Sequence, residues 1–171
     1  GYHIKKGQRF IINSAIASMG YDLPAAIGVC RAVGREIVCI SGDGSIQMNL
    51  QELQTILTNH LPVKIFLINN DGYQQIRLTQ TRMFQAHFVG LGPDSGDLGF
   101  PDMEKLAAAY GYPYIRCTKN NELAAAVDAA MAQSGAVICE VFVDKEQAYE
   151  PKSSAKLLPD GKIVSPPLED L

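Results

Sequence analysis

The chain contains no apolar run of the roughly 18 residues that a membrane-spanning helix needs, so its 171 residues predict no such span. It has no basic excess. Fifteen Lys and Arg stand against eighteen Asp and Glu, for a net charge of −3, and the basic residues are scattered. A nucleic-acid binder normally turns a basic face to the phosphate backbone, so that class is disfavoured. The four cysteines, Cys30, Cys39, Cys117 and Cys139, form no CxxC pair. That points away from zinc and disulfides and toward a reducing, cytoplasmic setting. Cys39 and Cys139 lie inside apolar runs, where a thiol usually serves as a small buried hydrophobe. The opening GYHIKKGQRF lacks the apolar stretch and small-residue cleavage site of a signal peptide. No internal repeat and no low-complexity tract is present.

What is present suffices for one ordinary core: 47% of the residues are apolar, and the length fits a single domain. Strand-like and helix-like segments alternate. Residues 9–13 read as a short strand or an extended lead-in. Residues 23–33 read as an apolar helix, with Pro24 tolerated in its first turn and Gly34 ending it. EIVCIS (36–41) and VKIFLI (63–68) have the short, β-branched character of strands buried on both faces. Between them, residues 45–60 keep helical spacing through Ile46, Leu50, Leu53, Ile56 and Leu57. Residues 71–81 begin as a helix and lose the pattern, and the glycine-rich stretch 90–100 is a loop. A helix over 102–110, a strand over 114–118, an Ala-rich helix over 121–133 and a strand over 136–143 complete the series. Residues 146–171 carry four prolines and no periodicity, and are expected to form a tail or lid beyond a domain of 1–145. Strands separated by helices predict an α/β fold, three layers α/β/α, with a mostly parallel sheet and right-handed crossovers.

In open α/β sheets, ligands bind at the carboxyl ends of the strands. Two such ends stand out, Ser41-Gly42-Asp43-Gly44-Ser45 and Asn69-Asn70-Asp71-Gly72-Tyr73. A helix of about 15 residues rises roughly 22 Å, enough to bring the chain back past the sheet, so both loops emerge on the same edge. That edge offers the carboxylate of Asp43, the amide oxygen of Asn70 and the carbonyl of Gly72. Three hard oxygen ligands suit Mg²⁺, which keeps its other positions for phosphate oxygens and water. Gly42 and Gly44 permit close backbone approach. Ser45 is expected to open a helix whose free N–H groups favour an anion. Either triplet alone is an ordinary turn. Together, each directly after a buried strand and with 24 residues between GDG and NN, they fit a metal–diphosphate pair.

This spacing resembles the cofactor signature of enzymes that use thiamine diphosphate (ThDP). GDGSIQMNLQELQTILTNHLPVKIFLINNDGY is similar to the acetolactate synthase and pyruvate decarboxylase group, and the likeness runs from about residue 10 to 145. A second stretch, AIASMGYDLPAAI (15–27), resembles the family segment ending GxMGxGLPAAIGA. The resemblance implies that Asp43, Asn70 and the Gly72 carbonyl hold Mg²⁺ or Ca²⁺, and that Gly44 and Ser45 meet the diphosphate. It also implies that Met19 supports the bent cofactor from below and that the Ala17 carbonyl meets its aminopyrimidine. Ala17 replaces a usual glycine, a change without consequence if its φ is negative. Gly42, Ser18 and Tyr73 join the implied cofactor-binding set. Without the resemblance, Met19 reads equally well as a core methionine. Asp22 stands where Gly or Ser is frequent, and the sequence assigns it no role.

The activity implied is decarboxylation of a 2-oxo acid, pyruvate first, with transfer of the remaining unit to a carbonyl acceptor. Simple decarboxylation and a non-catalytic scaffold of the same fold are the alternatives. The implied partners are the 2-oxo acid and a pyrimidine-binding domain of the same enzyme in a homodimer or homotetramer, with neither nucleic acid nor membrane. The activating glutamate comes from that other domain, so no catalytic acid is assigned here, and the chain alone is expected to be inactive. Glu52 reads as a helix-face carboxylate. Gln75, Ile76 and Thr79 are the implied substrate-pocket residues; Gln75 and Thr79 fall where Met and Trp are expected, which makes the pocket more polar or more open. His87 could approach substrate but reads as a solvated loop histidine. A nucleotide-binding Rossmann reading requires GxGxxG after the first strand, and GDGSIQ lacks the third glycine.

Overall fold

Two short runs of branched apolar residues set the frame. They become strand β1 (Ile37–Gly42) and strand β2 (Val63–Asn69), which pair in parallel from Ile37↔Val63 to Gly42↔Ile68. A computed structural model describes residues 3–147, 155–165 and 167 of the chain. Strand β3 (Tyr114–Cys117) and strand β4 (Val137–Phe142) complete a four-stranded, all-parallel sheet in the order β1-β2-β4-β3. Parallel neighbours demand crossovers; α1 (Asp22–Val33) precedes β1, and the crossovers are supplied by α2 (Asp43–Ile46), α3 (Glu52–Thr58), α4 (Gln74–Met83), α5 (Met103–Tyr110) and α6 (Leu123–Met131). The expected mostly parallel α/β architecture is what the chain adopts.

The main core lies between α1, α2, α3, α5 and one sheet face. Leu23, Ile46, Leu53, Ile56, Ile65 and Leu67 are fully buried there, each burial worth about 1.5–3 kcal/mol. A smaller core on the other face places Ala126 and Ala130 of α6 against Val137 and Cys139 of β4. That second face is bare over β1 among the described residues, where Val38 and Ile40 are 51% and 65% exposed. All-parallel sheets are ordinarily covered on both faces.

Local signals explain most boundaries. Gly34 closes α1 at φ 64° and Gly111 closes α5 at φ 86°, left-handed positions that favour glycine. The Asp102 side chain caps α5 by accepting from the Lys105 N–H. Lys64, inside β2, is fully buried, and its Nζ donates to the carbonyls of Gln133 and Gly135, just past α6, 3.3 Å from Glu36. A buried ammonium survives there because the carbonyls beyond a helix C-terminus attract a cation.

Four expectations are corrected. The span 45–60 is not one helix: α2 and α3 are separated by a 3₁₀ turn over Gln47–Asn49. Residues 9–13 form no strand. Residues 36–41 are not buried on both faces, because Val38 and Ile40 are exposed on the face that no described helix covers. The segment after β4, expected as a tail or lid, includes an antiparallel pair, β5 (Lys156–Leu157) with β6 (Ile163–Val164). The four cysteines are buried free thiols, and burial pushes the Cys39 thiol up to about 12. Among the described residues no helix is long and apolar enough to cross a membrane.

Candidate functional site

The tips of β1 and β2 are adjacent because their strands pair up to Gly42↔Ile68. Asp43 follows directly on β1 and is only 5% exposed. Its Oδ1 accepts the Gly44 N–H at 2.9 Å, and its Oδ2 accepts the Gly72 N–H at 2.9 Å. The second bond ties the two loops together across 29 positions of sequence. Burial pushes the Asp43 carboxyl above the usual carboxylate range; the N–H groups of Gly72 and Gly44 pull it partly back, and neighbouring Asp71 raises it again.

Asn70 presents the second oxygen. Its Oδ1 is buried and has no hydrogen-bond partner. A buried acceptor without a donor costs about 1–3 kcal/mol, so this one is suited to a cation or a donor from outside the chain. Gly72 is held at φ 138°, and a Cβ there would lie 2.3 Å from the Leu91 carbonyl oxygen. The same oxygen accepts the Tyr73 N–H at 2.7 Å. Tyr73 in turn lies over Gly44, where a Cβ would meet its ring at 2.3 Å, and packs edge-on against Phe100. The glycine-rich loop therefore buttresses the Asp71-Gly72-Tyr73 turn. An ion-pair cluster clamps it: Asp94 receives both Arg77 and Lys145, which hold its carboxyl below the usual range. Arg77 belongs to α4 and is 4% exposed.

Ser45 and Asp22 form a unit that sequence reasoning missed. Ser45 Oγ accepts the Gly20 N–H at 3.0 Å and donates to Asp22 Oδ2 at 2.9 Å, and Ser41 Oγ donates to the same oxygen. The Asn49 amide donates to the Gly20 carbonyl at 2.7 Å. Asp22 thus pins the segment around Met19 and Gly20 to the end of β1. With the Ser45 hydroxyl proton committed to Asp22, a diphosphate contact from this residue falls to its backbone N–H. The helix argument for an anion also weakens, because α2 starts at Asp43 and has four residues, too few to sum a sizeable dipole. Replacing Asp22 by Ala takes the acceptor from the Ser45 hydroxyl and leaves Ser41 only the Gly42 carbonyl at 3.3 Å; it is expected to destabilise the chain by about 2 kcal/mol, readable as a lower urea midpoint, and an unchanged midpoint would show that the carboxylate is dispensable.

The remaining expected residues are placed as follows. Gly42 ends β1, half-buried. Ala17, Ser18 and Met19 are exposed, Met19 by 49%, so Met19 is not a core methionine. Ala17 stands at φ 52°. The condition that its φ be negative fails, and the alanine occupies a left-handed conformation that glycine adopts without strain. Gln75, Ile76 and Thr79 are exposed on one face of α4. Glu52 is half-buried in α3 and His87 is exposed.

The family described as "Thiamine pyrophosphate enzyme, C-terminal TPP binding domain" matches residues 1–141. The chain belongs to this family. Among relatives, acetolactate synthase 2, chloroplastic, of Nicotiana tabacum is 34% identical over 94% of this chain and 24% of its own length. Acetolactate synthase isozyme 2 large subunit of Escherichia coli K12 is 34% identical over 96% of this chain and 28% of its own. Acetolactate synthase, chloroplastic, of Arabidopsis thaliana is 34% identical over 94% and 24%. This TPP-binding domain therefore spans about a quarter of the length of these relatives. Its fold, its family and its relation to acetolactate synthases agree with the sequence signature. Thiamine diphosphate is the cofactor that membership implies, and the donor set fits its metal-bound diphosphate: one buried carboxylate, one unpartnered carboxamide oxygen and a glycine turn at paired strand tips.

Proposed function

We propose that this TPP-binding domain anchors Mg²⁺–ThDP within an acetolactate synthase-like enzyme that decarboxylates a 2-oxo acid, pyruvate first, and passes the remaining unit to a carbonyl acceptor. Asp43, Asn70 Oδ1 and the Gly72 carbonyl hold the cation, and the cation holds the diphosphate. The observation that carries this reading is the buried, unpartnered Asn70 Oδ1, two residues before the glycine whose N–H is bonded to Asp43. Bound ThDP supplies the carbon nucleophile that adds to the 2-oxo acid carbonyl and lets CO₂ leave. The domain's own residues anchor and orient. Gly42 leaves room for the diphosphate, Gly44 makes room for the Tyr73 ring that flanks it, and Ala17, Ser18 and Met19 form the shelf under the aminopyrimidine end. Gln75, Ile76 and Thr79 present a mixed polar face to substrate. The activating glutamate comes from a pyrimidine-binding domain of a partner subunit, in a homodimer or homotetramer.

Calorimetry on the full-length polypeptide tests this. ThDP is expected to bind when Mg²⁺ is present and to lose its affinity when the metal is chelated, while NADH gives no heat. Acetaldehyde formed from pyruvate along with CO₂ would mark a simple decarboxylase; a longer hydroxy-oxo product, with pyruvate itself or an added carbonyl compound as acceptor, marks a carboligase. ThDP affinity that ignores the metal would defeat the assignment of the three oxygens.

A further inference from the structure

Between the ends of β2 and β4 lies a cavity of about 240 Å³ lined by Ile68, Asn70, Gln74, Val143, Asp144 and Gln147. Gln74 opens α4 and is 7% exposed. Its amide nitrogen donates to the Lys145 carbonyl at 2.5 Å. A carbonyl can only accept, so this bond fixes which end of the amide is nitrogen. The other end, Oε1, is buried and has no partner, as is Asn70 Oδ1. Two buried carboxamide oxygens without donors thus belong to residues that line one cavity, together with Asp144, whose carboxylate accepts the Glu146 N–H at 2.8 Å. Lining of this kind takes an occupant that only donates. A hydrated cation does so, because its bound waters turn their protons outward, and the cavity has room for several waters at roughly 30 Å³ each.

We infer that Gln74 is a cation-positioning residue: its Oε1 accepts a hydrogen bond from a water on the divalent ion whose direct ligand is Asn70. The inference rests on the cation site proposed above and extends it by one residue. Mg²⁺ retains several waters when few side chains reach it, and groups that hold such outer ligands tune metal affinity about 10–100-fold. Gln74 also links the start of α4 to the segment after β4, so the ion, the Asn70 turn and the end of β4 become one unit.

Full-length protein with ThDP, titrated with Mn²⁺ and followed by the EPR signal of free Mn²⁺, tests this. Gln74→Met keeps the volume and removes the oxygen; it is expected to weaken Mn²⁺ binding about 10-fold or more. Gln74→Glu separates the role from mere structure. Its added charge is expected to tighten Mn²⁺ severalfold, even though a carboxylate facing the Lys145 carbonyl lowers the melting temperature. A purely structural Gln74 predicts affinity that is unchanged or falls with stability in this variant, and either result overturns the inference, also where Gln74→Met fails to fold. If wild type binds Mn²⁺ with ThDP, Asp43→Asn does not, and Gln74→Met matches wild type, the Gln74 role alone falls. If wild type shows no ThDP-dependent Mn²⁺ binding, the cation site itself falls with it.

Discussion

Asp43→Asn is expected to remove Mg²⁺-dependent ThDP binding, with a loss of about 100-fold or more by calorimetry, since even outer-shell partners of a metal are worth about 10–100-fold. Asp43 is the only charged member of the proposed donor set, because Asn70 and the Gly72 carbonyl are neutral. Its carboxylate is already costly: it is 5% exposed, and burial raises its pKa. The metal-free fold should therefore tolerate the change. Asn removes the desolvation of a charge but turns one acceptor into an NH₂ group facing the N–H of Gly44 or Gly72. These effects oppose one another, and the net change in stability is expected to stay near 1 kcal/mol. Lost binding with a nearly unchanged melting temperature identifies a ligand. Wild-type affinity in the variant would show that the cation sits elsewhere.

Gly72→Ala should damage the fold itself, by about 3 kcal/mol or more. Two independent constraints meet at this residue. Its φ of 138° is a conformation that side-chain-bearing residues rarely adopt, and a Cβ would stand 2.3 Å from the Leu91 oxygen and 3.2 Å from its carbonyl carbon. Leu91 cannot easily retreat, because it is fully buried and its oxygen is bonded to the Tyr73 N–H. The control is Gly28→Ala in α1, where nothing lies within 4 Å of the added carbon and φ is not positive. There the helix should gain about 0.5–1 kcal/mol. Urea unfolding of both variants reads the difference directly. Equal midpoints would mean that the loop carrying Leu91 yields, and that the glycine turn is not held as rigidly as its contacts imply.

Much of this was legible along the chain because parallel strands leave a strong local trace. β2 is buried from both sides over most of its length and β1 on one face, and both segments are short, branched and apolar. The loops that follow them must turn sharply, so GDG and NNDG stand directly after the strands. Gly34, left-handed at φ 64°, marked the end of α1 with the same clarity. The interruption between α2 and α3 left no such trace. Ile46, Leu53 and Ile56 remain buried whether the backbone between them is α-helical or 3₁₀, so the apolar spacing is the same for both.

Asp22 shows the other limit. In sequence it looks like a departure from a family position usually filled by Gly or Ser, and only the fold brings Ser41 and Ser45 to the same carboxylate oxygen. The Arg77–Asp94–Lys145 cluster is similar, since its members lie 17 and 51 positions apart. Gln74 has one amide end occupied and the other free only because the segment after β4 happens to pass it.

By itself, the sequence determined the α/β class, the two strand tips that stand side by side, and the residue types that those tips present. Each of these follows from residue type and spacing within a few turns of backbone. Only the tertiary structure decided which side chains lock the tips in place and which buried acceptors are left without donors. Those outcomes depend on distances between segments far apart in the chain, and such distances exist only once the sheet has formed.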